Sequence, residues 1–277
     1  MMKISEKIEL VDLGIYVHKT LIFSDFHIGY EEALNKQGTF IPRFQFQEIL
    51  KRLDAIFEQL KDREIQTIVV AGDLKHEFGV ISEQEWRHTL RLLDYLGKKA
   101  QKIVLLKGNH DTILGPIAHK RNVATGQFLL MNDSKRAIFT ISGNTIKKVD
   151  LEGAPMIDVQ ANNIHDADKA DLTSTSLSKK THDPPKQSRL LKKIKLLKNV
   201  KKMGGAIKSK DKNGILIVHG DIIPPKEVLE NASTIIMGHE HPALGIQDGQ
   251  RSETFKCFLI GAWEKKDLIA ILIFWFA

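Results

Sequence analysis

Seven side chains suited to divalent cations fall into five short strings. Ser24-Asp25-Phe26-His27 carries Asp25 and His27, Gly72-Asp73 carries Asp73, and Gly108-Asn109-His110-Asp111 carries Asn109. His219-Gly220-Asp221 carries His219, and Gly238-His239-Glu240-His241 carries His239 and His241. Two cations about 3.5–4 Å apart allow phosphoester cleavage at neutral pH, because they generate a strong nucleophile and absorb charge on the phosphoryl oxygens. Asp25, His27 and His241 are expected to hold one metal and Asn109, His219 and His239 the other, with Asp73 bridging and a hydroxide between them as attacking group. His110 is left beside the site as general acid or transition-state stabiliser, with Asp111 expected to partner its other ring nitrogen. Mixed imidazole, carboxylate and amide donors suit Mn²⁺, Fe²⁺ or Zn²⁺, and two divalent ions, Mn²⁺ first, are the expected cofactors.

Elements must bring these strings together, and the sequence supplies them. Leu21-Ile22-Phe23, Ile68-Val69-Val70-Ala71, Ile103-Val104-Leu105-Leu106, Ile215-Leu216-Ile217-Val218 and Thr234-Ile235-Ile236-Met237 each run directly into a string. Their composition predicts strands buried on both faces. Ligands in open α/β sheets bind outside the carboxyl ends of strands, so distant strings can converge there. Taken singly, a Gly-Asp or Gly-Asn-His-Asp string is an ordinary turn. Five in order, each after a strand-like run, point to one site. Five of the eleven histidines fall inside the strings. His76, three residues past Asp73, is a candidate substrate contact, while His18, His88, His119, His165 and His182 are read as structural or solvated.

The series D-x-H, G-D, G-N-H-D, H-G, G-H-x-H resembles the calcineurin-like metallophosphoesterase superfamily. Around it, SDFHIGYEEAL, GDLKHEFG, GNHDTILGPIA, HGDIIPP, GHEHPAL and RSETFKCFLIGAW resemble the archaeal ICC-like phosphoesterases and their bacterial DNA-ligase-associated relatives, over roughly residues 10–122 and 214–264. The resemblance implies an α/β fold, a four-layer α/β/β/α sandwich, and the metal assignments above carry over position by position. It implies no particular substrate, because the superfamily spans nucleases, cyclic-nucleotide phosphodiesterases and protein phosphatases.

Composition agrees. The 277 residues suffice for one large α/β domain, or a domain plus an insertion. A single cysteine, Cys257, precludes an internal disulfide and suits a reducing cytosol, and its flanks suggest a buried strand position. The mixed-charge start lacks a signal-peptide core, so a cytoplasmic location is expected. The apolar run Leu268 to Ala277 falls short of the ~20 residues that span a bilayer and reads as a terminal core strand, with no integral membrane association. Residues 43–60 place Phe46, Ile49, Leu53, Ile56 and Phe57 on one helical face. Residues 82–96 begin with a capping box, Ser82 to Glu85, carry a stripe of Trp86, Leu90 and Leu93, and meet Gly97 where a helix would stop.

Residues 1–130 and 214–277 are read as the catalytic domain, with 131–213 as a lysine-rich insertion. The insertion opens with a hairpin over 137–149 around a Gly-Asn turn and continues as a polar loop over 158–187. From Lys186 to Lys210 there are ten bases and no acid, so this stretch supplies +10 of a net +7 and leaves −3 for the rest. Its apolar residues recur at helical spacing, which predicts a basic amphipathic helix presenting Lys192, Lys193, Lys195 and Lys198 to phosphates. A nucleic acid or nucleotide is therefore the expected partner, and phosphodiester hydrolysis the expected reaction. A small phosphomonoester or a cyclic nucleotide as substrate, or a nucleic-acid-binding scaffold without turnover, are the alternatives.

Overall fold

The computed structural model describes residues 1–79, 81–143, 145–153, 194–196, 214–249, 251–263 and 268–272. Each run of β-branched residues forms a strand, and strand alternation sorts its side chains between two cores. The first half of the chain contributes β1 (Met2–Lys3), β2 (Ile8–Val11), β3 (Gly14–Val17), β4 (Thr20–Phe23), α1 (Tyr30–Lys36), α2 (Gln45–Gln59), β5 (Thr67–Ala71), α3 (Glu83–Gly97), β6 (Lys102–Leu106), α4 (Leu114–Lys120) and β7 (Ala124–Gly126). These strands make a seven-stranded sheet in sequence order, antiparallel from β1 to β4 and parallel from β4 to β7. Leu21, Phe23, Ile68, Val70, Ile103 and Leu105 face the helices, packing with Ile49, Leu53 and Ile56 of α2 and Leu92, Leu93 and Leu96 of α3. The capping box forms as expected: the Glu85 amide donates to Ser82 Oγ and the Ser82 amide to Glu85 Oε2.

The second sheet takes β8 (Phe128–Met131), β9 (Arg136–Ser142), β10 (Thr145–Asp150), β11 (Ile194–Leu196), β12 (Gly214–Val218), β13 (Ala232–Met237), β16 (Leu259–Trp263) and β17 (Leu268–Leu272), in the order β10-β9-β8-β12-β13-β17-β16-β11. A four-residue helix, α5 (Lys226–Leu229), joins β12 to β13, and β14 (Ala243–Asp248) pairs with β15 (Arg251–Lys256) as a separate ribbon. The sheets stack face to face. Ile22, Val69, Ala71, Val104 and Leu106 of the first pack with Leu129, Ile138, Ile215, Ile217, Ile236 and Ile271 of the second. The other face of the second sheet packs Leu216, Val218, Ile235 and Met237 with Val228 and Leu229 of α5. The architecture is thus mixed α/β with two large stacked sheets, and α5 is the outer helix on the second sheet among the described residues.

Three details differ from the sequence reading. The hairpin counted with the insertion is hydrogen-bonded into the second sheet, β9 against β8. Of the basic stretch only Ile194–Leu196 is described, and there the backbone is a strand antiparallel to β16 rather than helix. An edge strand offers unpaired N–H and C=O groups, and pairing with them overrides the helical spacing. The polar loop over 158–187, Lys192, Lys193 and Lys198 lie outside the described residues. Cys257 sits in the connection between β15 and β16 and is half-buried, not in a strand, because the chain turns there from the ribbon into the sheet. The terminal run is a strand over Leu268–Leu272, parallel to β13.

Candidate metal centre

The five strings follow the carboxyl ends of β4, β5, β6, β12 and β13. Beyond β4 and β5 the chain keeps pairing: Asp25 N–H donates to Gly72 O, His27 N–H to Asp73 O and Ile28 N–H to Leu74 O, each at 3.0 Å. This continued ladder fixes two strings side by side. The backbone then departs from ordinary strand geometry, with Asp25, His27, Asp73, His239 and His241 all at positive φ between 43° and 69°. Such a conformation disfavours residues with a Cβ and persists only where surroundings enforce it, as functional sites often do. Close approach explains the flanking glycines. A Cβ on Gly108 would collide with Asp73 Oδ1, and one on Gly238 with Ser24 Oγ and Asp25 Oδ2.

The structure brings all seven expected ligand residues together. On one side, His241 Nε2 lies 3.2 Å from Asp25 Oδ1 and 3.3 Å from His27 Nε2, which is 3.7 Å from Asp73 Oδ2. On the other, Asn109 Oδ1 is 3.0 Å from both His219 Nε2 and His239 Nδ1, and His219 Nε2 is 3.3 Å from Asp73 Oδ2. Asp73 therefore belongs to two groups whose donor atoms lie mutually within 4.8 Å, Asp25-His27-Asp73-His241 and Asp73-His219-His239. A cation bound at about 2.1 Å to N and O holds neighbouring donors about 3.0 Å apart in an octahedron and about 3.4 Å in a tetrahedron, so these spacings fit divalent ions. The ring nitrogens His219 Nε2 and His239 Nδ1 lie 3.2 Å apart, within the same range.

Neighbouring groups orient the donors. His219 Nδ1 donates to Ala71 O at 3.0 Å, which turns Nε2 toward Asp73 and Asn109. The His239 amide donates to both oxygens of Asp25 at 3.2 Å, and the His110 amide to Asp73 Oδ1 at 3.0 Å. Burial pulls the His27 imidazole down to about 3, against the opposing pull of Asp73 and Asp25. At His219 burial also lowers the affinity for a proton, but the hydrogen bond and charge of Asp73 outweigh it and hold the ring up at about 10. Burial raises Asp73, yet its hydrogen bond to His219 and the nearby imidazoles hold it well below the usual carboxylate range. These opposed shifts mark a cluster in which Asp73 is anionic and His27 neutral at pH 7.

Asp111 differs from its expected place. Its buried carboxylate accepts from the amides of Leu74 and Gly108, both at 3.1 Å, and so ties the third string to the second. His110 Nδ1 instead donates to the carbonyl of His76, leaving Nε2 3.8 Å from Asp73 Oδ2. A short side chain one residue after His110 reaches the adjacent turn's amides more readily than the ring beside it. Burial, then the charge of Asp73, pushes Asp111 up to about 7. His76 lies at the site, its Nδ1 3.4 Å from His27 Nδ1. Lys195 has its backbone in β11 at the far edge of the second sheet, three strands from β13.

Sequence reasoning missed the second role of Glu85. Besides capping α3, its fully buried carboxylate accepts from the amides of His76 at 2.8 Å and Glu77 at 2.9 Å, and so positions the loop whose carbonyl holds His110. The capping signature was visible, but nothing local says that the same carboxylate reaches the second string. Fully buried Lys75, whose Nζ donates to Glu77 O, braces the same loop from within.

A model of the calcineurin-like phosphoesterase family matches residues 18–243. Among solved structures, the nuclease MPE of Pseudomonas putida is similar at 22% identity with a TM-score of 0.31, over 42% of this chain and 52% of that one. The chain thus spans about half the length of that protein. No curated protein matches this sequence. No helix among the described residues is long and apolar enough to cross a membrane.

Proposed function

The chain belongs to the calcineurin-like phosphoesterase family, and from that membership, which implies phosphoester hydrolysis, we propose that it is a two-metal phosphodiesterase acting on nucleic acid or nucleotides. One observation carries the reading: Asp73 stands between two donor groups, one completed by Asp25, His27 and His241 and the other by Asn109, His219 and His239. Asp25, His27, Asp73 and His241 would hold one divalent ion and Asp73, Asn109, His219 and His239 the other, Mn²⁺ foremost, and such ions would supply Lewis acidity and lower the pKa of a water. Asp25 and Asp73 would bring the negative charge that offsets the cations, and the imidazoles would bring lone pairs, His219 only on releasing the proton that Asp73 holds on it. His110, anchored through Nδ1–H to the His76 carbonyl, presents Nε2 toward the centre, where its imidazolium form would give the Nε2 proton to the departing alkoxide oxygen; burial lowers the proton affinity of the ring, so this form would have to be charged by the anionic substrate. His76 packs beside it within reach of a phosphoryl oxygen.

The diester and polymer part of the proposal rests on charge. The stretch 186–210 holds ten bases and no acid in a chain whose remainder is negative, which suits a substrate with many phosphates. Lys192, Lys193, Lys195 and Lys198 are proposed to contact it, and no integral membrane attachment is invoked. The test is Mn²⁺-dependent hydrolysis across bis-p-nitrophenyl phosphate, single- and double-stranded DNA, RNA, cyclic nucleotides and p-nitrophenyl phosphate, with metal content measured in parallel. Turnover of diesters at about two metal ions per chain supports the reading. Turnover of monoesters alone would replace it with a phosphomonoesterase, and tight DNA binding without any hydrolysis with a scaffold.

A further inference from the structure

The centre has one exposed aromatic side chain that the chemistry above leaves unused. Phe78 is 53% exposed, yet its ring packs on His110 with centroids 3.8 Å apart and planes 33° apart. Its place is fixed. The Gly79 amide donates to Thr112 Oγ1 at 3.1 Å, the Glu77 amide is held by Glu85, and the His76 carbonyl accepts from His110 Nδ1. Inward, the rings continue: His110 on His76 at 5.4 Å and 28°, then Tyr30 against the edge of His76 at 4.9 Å and 81°. This column of four rings opens to solvent through Phe78. Gly79 beside it has open space where a side chain would stand, so a flat group can approach.

We propose that Phe78 is a specificity-determining residue, a stacking platform for a nucleobase carried by the group that leaves the scissile phosphate beside His110. The inference rests on the phosphodiesterase reading and names the substrate class within it. Base–aromatic stacking accepts every base, since each has a π face, and is worth a fold-change on the order of 10 or more per base. A hydrophobic cover for His110 would need bulk without planarity, and leucine would supply that equally well. Stacking needs the ring. The two roles therefore separate by substitution.

Wild type, Phe78→Ala, Phe78→Leu and Phe78→Trp are compared by kcat/KM with Mn²⁺ on a thymidine dinucleotide and on the same dinucleotide with both bases removed. The expected result is a loss of about 10-fold or more for Phe78→Ala and Phe78→Leu on the dinucleotide, near wild-type rates for Phe78→Trp, and little change for any variant on the abasic analogue. Full activity of Phe78→Leu on the dinucleotide, or equal losses on both substrates, overturns the platform while leaving the phosphodiesterase reading in place. Wild-type protein that hydrolyses neither dinucleotide while turning over other diesters overturns the platform alone, and absence of turnover on every diester overturns both.

Discussion

The floor and the rim of the centre are held in different ways. Asp25, Asp73 and His219 are at most 2% exposed, and each side chain is gripped by a main-chain group: the His239 amide, the His110 amide and the Ala71 carbonyl respectively. His241 at the rim keeps 38% of its side chain exposed and meets the site through Asp25 and His27. Main-chain bracing on buried ligands fixes donor direction before any ligand exchange, whereas an exposed imidazole on a short turn can swing away. From that difference we expect the His219 side and the His241 side to be unequal as ion sites, with the first the tighter.

Asp73→Ala removes the group common to both sides, so it should abolish the contrast altogether. Mn²⁺-dependent diester hydrolysis should fall by about 10³-fold or more, and measured metal content should drop below one ion per chain. Retention of two ions would end the bridging assignment. The next strain comes from comparing single imidazoles. His219→Ala should lose about 10³-fold in activity and bind metal poorly throughout, while His241→Ala should lose about 10–100-fold and keep one tightly held ion in a calorimetric titration. The reverse order of affinities would refute the floor-and-rim distinction.

A smaller effect is expected at the glycine that lets the third string lie on the second. Gly108→Ala places a methyl against Asp73 Oδ1 and should lower activity about 10-fold with a stability loss of about 1–3 kcal/mol in urea titration. The smallest concerns protons. In chelator-treated protein, His27 and His76 titrate near 3 and 4 when folded, both chiefly through burial, but near 6.5 when unfolded. The unfolded chain then binds more protons below pH 6.5, so stability falls as pH drops from 6.5 toward 4. His219 works in the opposite sense: its raised value, about 10, contributes stability that is fully present below 6.5 and lost as pH rises through 10. Thermal melts should therefore peak near pH 6.5, decline gradually toward pH 10, and fall by about 5 °C or more by pH 4.5. A flat profile in that acid range would contradict the buried, neutral state of His27.

Much of this was legible because the signals were local and repeated. The five lead-in runs are rich in Ile, Leu and Val with no polar alternation, and each became a strand buried on both faces. The Ser82–Glu85 box and the pairing of β9 with β10 likewise depend on neighbours in sequence. What escaped depends on residues far apart. Nothing near Asp111 says that its carboxylate serves amides on another loop, and nothing near Glu85 says that it reaches His76 and Glu77. The membership of β9 and β10 in the second sheet follows from pairing with β8, which hydrophobic spacing alone does not encode. At Ile194–Leu196 the spacing favoured a helix, and a free sheet edge decided otherwise. The left-handed backbone at five of the seven candidate ligands was also invisible, since histidine and aspartate carry no mark of the φ imposed on them.

Asp25, His27, Asp73 and Asn109 emerge with the first sheet, while His219, His239 and His241 belong to a segment that begins more than a hundred residues after Asn109. A chain leaving the ribosome thus carries half a cradle for a long interval, and the inter-sheet packing of Ile215, Ile217 and Ile236 must close before the halves meet. Hydrolytic competence is expected only once the later segment is made and docked, so truncated or half-folded copies should be catalytically silent.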